Sequence, residues 1–360
     1  MPTWILLTLA CAFAAQDPVP PDARRGPPQG QPQASPGAGA RRGQPGGQRG
    51  GGGAALEAPR AEVEVERPDP LAGAVLPPER PEAPTGLPEG ATATLVTFQH
   101  ENGALARTGY LVDGQRRGVW LGYTEGGVPA YRGAYEDYLR TGPWLYFDAL
   151  GNRQECGAYA AGQREGLWLT WFPDGHLEGR VQWRAGRRHG EQQRYFKSGV
   201  LQSVTHFVDG RREGPFRRFN QDGSPAEEGA YRAGQKDGEW TVYSGKGEPA
   251  SRGSYTLGKQ TGEWVLWHPG GQRQAAGVYI DGAPDGVWLG FHRNGQRAFE
   301  MTYARGVLEG DYREWHPNGQ ERSVGRYVQG QMEGAWTYWD RDGQIEPGRS
   351  GVYQKGNLVR

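Results

Sequence analysis

Several clusters in this 360-residue chain have the residue types and spacing that chemistry needs. Gly253 to Lys259, GSYTLGK, has the Gly-x4-Gly-Lys spacing of a loop that cradles phosphate, but Gln260 stands where such a loop needs Ser or Thr to reach Mg2+. Its glycines also recur without the lysine, as Gly229 with Gly234 and Gly277 with Gly282. His268, His292 and His316 are evenly spaced and invite a metal, and the other histidines, His100, His176, His189 and His206, read as unrelated to them. On successive hairpins those three would lie about 10 Å apart, whereas zinc ligands sit roughly 2.0–2.1 Å from one ion. Carboxylates recur at Glu165, Glu213, Asp237, Asp285, Glu309 and Glu333. Paired catalytic carboxylates need roughly 5–9.5 Å, so turn chemistry accounts for these better. HExxH, CxxC and GxSxG are all absent. The reading is a non-enzyme with no catalytic, cofactor-binding or metal residue.

What positions these residues is a repeat of 24. Stepping from Trp120 gives Trp144, Trp168, Gln192, Phe216, Trp240, Trp264, Trp288, Tyr312 and Trp336, and three residues further on every copy is aromatic, from Tyr123 to Trp339. Two residues before that position every copy is glycine: Gly118, Gly142, Gly166, Gly190, Gly214, Gly238, Gly262, Gly286, Gly310 and Gly334. These rings and glycines are the structural repeat residues. Each unit reads GxYxxGxxxGxWxxYxxxG, a hairpin whose first turn runs through, for example, Gly234 and Gly238. A second break carries Asp-Gly or Asn-Gly, as at Asp222-Gly223 and Asn318-Gly319, which favours tight turns with positive φ. Helix is disfavoured, because each glycine costs roughly 1 kcal/mol in a helix interior.

The spacing therefore predicts an all-β protein: one elongated antiparallel β-meander of about ten 24-residue hairpins over residues 93–356. At about 4.8 Å per strand it would run roughly 100 Å before twist. The two aromatic positions have opposite parity on a regular strand, so either both faces carry rings or a bulge intervenes. Tyr138 replaces a turn glycine and Gln192 replaces a Trp, so the second and fourth units are expected to be irregular.

Residues 1–15, MPTWILLTLACAFAA, look like a signal peptide, and residues 16–92, rich in Pro, Gly and Arg, read as a disordered linker. Removal of the leader leaves Cys156 as the single thiol. With 41 basic and 41 acidic residues there is no general field for nucleic acid, and after the leader no apolar run could span a membrane. Export to the periplasm, cell surface or medium is the expected localisation.

The GxYxxGxxxGxWxxYxxxG pattern resembles the MORN repeat, and the 24-residue Trp-rich form with Asn/Asp-Gly breaks is similar to its bacterial variant. That resemblance implies a hairpin array serving as a scaffold for protein association. Some bacterial relatives carry an antitoxin label, which sits poorly with export. An alternative reading is a carbohydrate or cell-wall binding module, which would need the repeated rings open to solvent.

Overall fold

A computed structural model describes residues 80–359. The chain divides into Met1–Glu64 and Val65–Arg360, and all described residues belong to the second unit. The expected signal peptide, and the expected linker up to residue 79, lie outside the described residues.

Twenty-three strands, numbered in chain order, form an open antiparallel sheet in which each pairs with its chain neighbours. Strand β1 (Ala93–Gln99) pairs with β2 (Leu105–Val112), and β2 with β3 (Gln115–Tyr123). The far end is β21 (Gln331–Tyr338), β22 (Gly351–Gln354) and β23 (Asn357–Val359). The all-β meander and its register follow the sequence reading.

The turns differ from that reading. In the hairpin of β12 (Pro225–Arg232) and β13 (Gln235–Tyr243) the tight turn is Ala233-Gly234, with φ of 51° and 86°. Two positive φ values in a two-residue loop define a type I′ turn, whose twist matches the flanking strands. Gly238 is no part of it. Within this pair Glu228 faces Thr241 and Ala230 faces Asp237, so Gly238 and Glu239 bulge out of the ladder just before Trp240. The Asn/Asp-Gly breaks are not I′ turns either. At Asp222-Gly223 only the glycine has positive φ, Gly223 N donates to Asn220 O, and Asn220 N donates to Ser224 O. That is a type I turn closed by a glycine bulge. The Asp is favoured because its Oδ1 accepts Ser224 N at 2.9 Å.

Of the two expected irregularities, the one at Tyr138 leaves the turn intact and the one at Gln192 appears as a displaced register. Tyr138 takes φ 66° in the turn and stays exposed, so the hairpin forms around it. Beside Gln192 the ladder shifts one residue later than beside Trp240: Val181 pairs with Gln192 and pairing resumes at Trp183 with Arg188, as it does around Phe216 and Tyr312.

Rings occupy both faces. Trp144, Tyr159 and Trp168 form one buried cluster, while Leu145, Cys156, Leu169 and Trp171 form another. Trp168 and Trp171, three apart, lie in different clusters, which settles the parity question: the glycine bulge sets the Trp onto one face and regular alternation carries the next ring to the other.

Candidate interaction surface

The repeat aromatics prove to be the spine of the sheet. Trp120, Trp144, Trp168, Trp240, Trp264, Trp288 and Trp336 are all buried, none more than 6% exposed. Each indole lies flat on a glycine eleven residues earlier on the facing strand; a Cβ at Gly253 would sit 2.2 Å from the Trp264 ring. The indole N–H donates to the carbonyl one residue further on, as Trp264 Nε1 does to Ser254 O at 3.3 Å. Tyrosines stand edge-on between successive indoles, so that Tyr255 meets Trp264 at 5.3 Å and Trp264 meets Tyr279 at 5.7 Å. Burial pushes the Tyr327 phenol up to about 12, so that ring stays neutral at any physiological pH.

The glycines beneath the indoles open the repeat pattern read from the sequence, but their role as seats for the rings was not read. Where the repeat position is not Trp the underlying residue is not Gly: Val181 faces Gln192, Thr205 faces Phe216 and Met301 faces Tyr312. The glycines that were singled out, Gly118 to Gly334, are the bulge residues, with φ between 60° and 114°. A Cβ at Gly238 or Gly262 would meet nothing, so their requirement is conformational. Gly118 differs in lying beneath the Glu82 carbonyl and Pro84, from the last part of the expected linker.

The histidines and carboxylates are inter-repeat ties. His268, His292 and His316 each donate Nε2–H to the backbone carbonyl 23 residues on, Phe291, Trp315 and Trp339, at 2.8–2.9 Å. His100 does the same to Tyr123 O at 3.0 Å. It therefore shares their register seven repeats earlier, correcting its reading as unrelated. Glu165, Glu213, Asp285 and Glu309 accept the backbone N–H of the next hairpin's first turn residue, at 2.7–2.9 Å. Asp237 does so at 3.3 Å, and Glu333 accepts Lys355 N at 2.9 Å. Turn chemistry does explain these carboxylates, acting on the neighbouring hairpin.

A second row went unread. Four residues before the Trp position stand Arg116, Arg140, Arg164, Arg188, Arg212 and Lys236, and then Gln260, Pro284, Leu308 and Met332. All six cations lie over rings of the Trp face: Arg164 at 4.0 Å from Trp168, Arg188 at 4.7 Å from Phe207, Arg212 at 5.1 Å from Tyr231 and Lys236 at 4.0 Å from Trp240. Arg116 and Arg140 lie over Tyr135 and Tyr159 in the same way. Glu155 holds Arg164 bidentately and Glu227 holds Lys236. Arg140 instead donates to the hydroxyls of Tyr146 and Tyr159, Arg188 to Gln192 and Arg212 to the Tyr231 hydroxyl. The balance of zero hides this local field: between Arg180 and Arg218 stand ten basic residues and three acidic ones.

Cys156 belongs to the opposite face, packed against Leu145 and Leu169. Burial pushes its thiol up to about 11 from an ordinary 9.0. Each pK unit removes tenfold of thiolate, so the folded chain is expected to react with an aromatic disulfide at pH 8 roughly 100-fold more slowly than the urea-unfolded chain. Equal rates would show the site open.

Together these features define an open array of β-hairpin repeats whose differentiated surface is a basic row on one face. Residues 164–185, 188–209 and 284–304 match the MORN repeat variant, and the chain is a MORN-repeat protein. No curated protein matches it. Among solved structures, the Photorhabdus luminescens Tc holotoxin pore aligns at 12% identity with a TM-score of 0.16, over 73% of this chain and 16% of that one. The TcdB2-TccC3-TEV crystal structure aligns at 11% identity and a TM-score of 0.16, over 72% of this chain and 16% of that one. The chain thus spans about a sixth of the structures it is aligned with.

Proposed function

We propose that the chain is an exported, non-enzymatic scaffold that docks a partner protein on the Trp face of its first six repeats. The in-register row from Arg116 to Lys236 carries this reading, since it is surface chemistry repeated without any need of the fold: repeats seven to ten form the same hairpins with Gln260, Pro284, Leu308 and Met332 there. A non-enzymatic role is supported by what the recurring ionisable groups do. The carboxylates and histidines of the repeat spend their hydrogen bonds on the neighbouring backbone. Export rests on the leader-like Met1–Ala15. The glycan reading loses its support on the Trp face, where the seven repeat indoles are covered; the rings three residues further on, half-buried in every copy but Trp171, are the surface it would have to use.

A photo-crosslinking residue at position 188 or 212, compared with position 260 or 308 of the same register, tests this in the native envelope. One protein captured from the first pair alone is the expected result. Equal capture from both pairs, or turnover of a substrate by the purified chain, would overturn it.

A further inference from the structure

The basic row has a period, and the period specifies an occupant. Successive cations are one hairpin apart, two strand spacings, or about 9.6 Å. A polyproline II peptide rises about 3.1 Å per residue with three residues per turn, so every third side chain points the same way about 9.3 Å apart. The flexible reach of Arg absorbs the difference. We propose that the row seats an acidic peptide segment in the polyproline II conformation, laid across the strands, with one carboxylate at every third residue. The proposal rests on the docking reading above and names its partner's chemistry.

Three observations carry it. Each cation already lies over a ring, so little side-chain freedom remains to be lost on binding, and the single NH1 that Arg140, Arg188 and Arg212 each commit to Tyr or Gln leaves the other guanidinium donors for a carboxylate. Arg116, Arg140, Arg188 and Arg212 have no carboxylate partner among the described residues. Glu155 and Glu227 interrupt the row, each bonded to its own cation. A polyanion charged at every step, such as a nucleic acid with a phosphate about every 3.4 Å per strand, meets those carboxylates head-on. A segment charged only about every 9.3 Å meets them at two of its six seats, Arg164 and Lys236, and finds four cations that hold no carboxylate. Nucleic acid would also want rings free for base stacking, and the rings here lie beneath the cations.

The test uses the full chain and labelled 18-residue peptides, read by fluorescence anisotropy. Six repeats of Glu-Pro-Pro should bind more tightly than the same composition with its six Glu in one block, and Gln-Pro-Pro repeats should not bind. Arg188→Gln and Arg212→Gln should each weaken binding about threefold and together about tenfold, in keeping with exposed ion pairs. Arg293→Gln, outside the row, should leave it unchanged. Unaltered far-ultraviolet spectra and Tm confirm that the variants fold. Equal or tighter binding of the block peptide overturns the proposal, as does tighter binding of a single-stranded oligonucleotide or of phosphatidylserine vesicles at 0.15 M salt. Those failures leave the crosslinking result above standing, so the two readings fall separately.

Discussion

Gly253→Val is expected to destabilise its hairpin by about 3 kcal/mol, the upper range for overpacking, because the added Cβ would lie 2.2 Å from an indole that is itself fixed. Trp264 cannot retreat: Tyr255 and Tyr279 stand edge-on at either side of it, and its N–H is bonded to Ser254 O. The informative measurement is the sign of the same change in a second background. In Trp264→Gln the ring is gone and Gly253 faces a void, so adding Val should now stabilise, recreating the Val181 and Gln192 pair that the fourth repeat already carries. Thr with Phe and Met with Tyr are the other two natural solutions, at Thr205 with Phe216 and Met301 with Tyr312. Gly262→Ala is the control for backbone strain alone: nothing crowds its Cβ but φ is 66°, so about 1 kcal/mol is expected in either background. Urea unfolding with hydrogen exchange over β14 (Pro249–Thr256) and β15 (Lys259–Trp267) reads all of these. A Val that destabilises equally in both backgrounds would mean that ring and glycine are not in contact.

The same pairs show what was legible in the sequence. An uninterrupted step of 24 from Trp120 to Trp336 is enough to give hairpins, their number and their order, because ring and glycine positions cannot slip by one residue without turning the strand over. Turn chemistry was harder to read. Asp-Gly satisfies both an I′ loop and a type I turn with a glycine bulge, and only the ladder register distinguishes Asp222-Gly223 from Ala233-Gly234. The tie made by His100 was hidden because the units between it and His268 place Thr, Asp, Phe, Asn or Ser at that position, starting with Thr124. The basic row was hidden by averaging. Arg116 to Lys236 is offset by acids elsewhere along the chain, such as Glu309 and Glu333, which tie turns together. Composition reports the sum of these charges, while the fold separates them by face.

Trp240→Ala is expected to have the largest effect of any single truncation, about 3–5 kcal/mol, and its reach along the chain matters more than its size. Trp240 stacks on Phe216 at 5.6 Å in the preceding repeat, meets Tyr231 at 5.2 Å in its own hairpin and Tyr255 at 6.1 Å in the next. It also carries Lys236 at 4.0 Å and bonds Ala230 O at 3.0 Å. One indole therefore couples three hairpins, with nothing beneath it except Gly229 to collapse into the space. In an array held by nearest-neighbour contacts the loss should spread one repeat each way and stop. Amides of β11 (Arg211–Phe219) and β14 should exchange faster, while those of β18 (Arg297–Ala304), two hairpins beyond, keep their protection. The basic row would be cut at the same place, since Arg212 and Lys236 rest on rings of this cluster and Arg116 and Arg140 do not. A uniform loss of protection from β1 to β23 would instead show one cooperative block, and the picture of hairpins supported only by their neighbours would have to be abandoned.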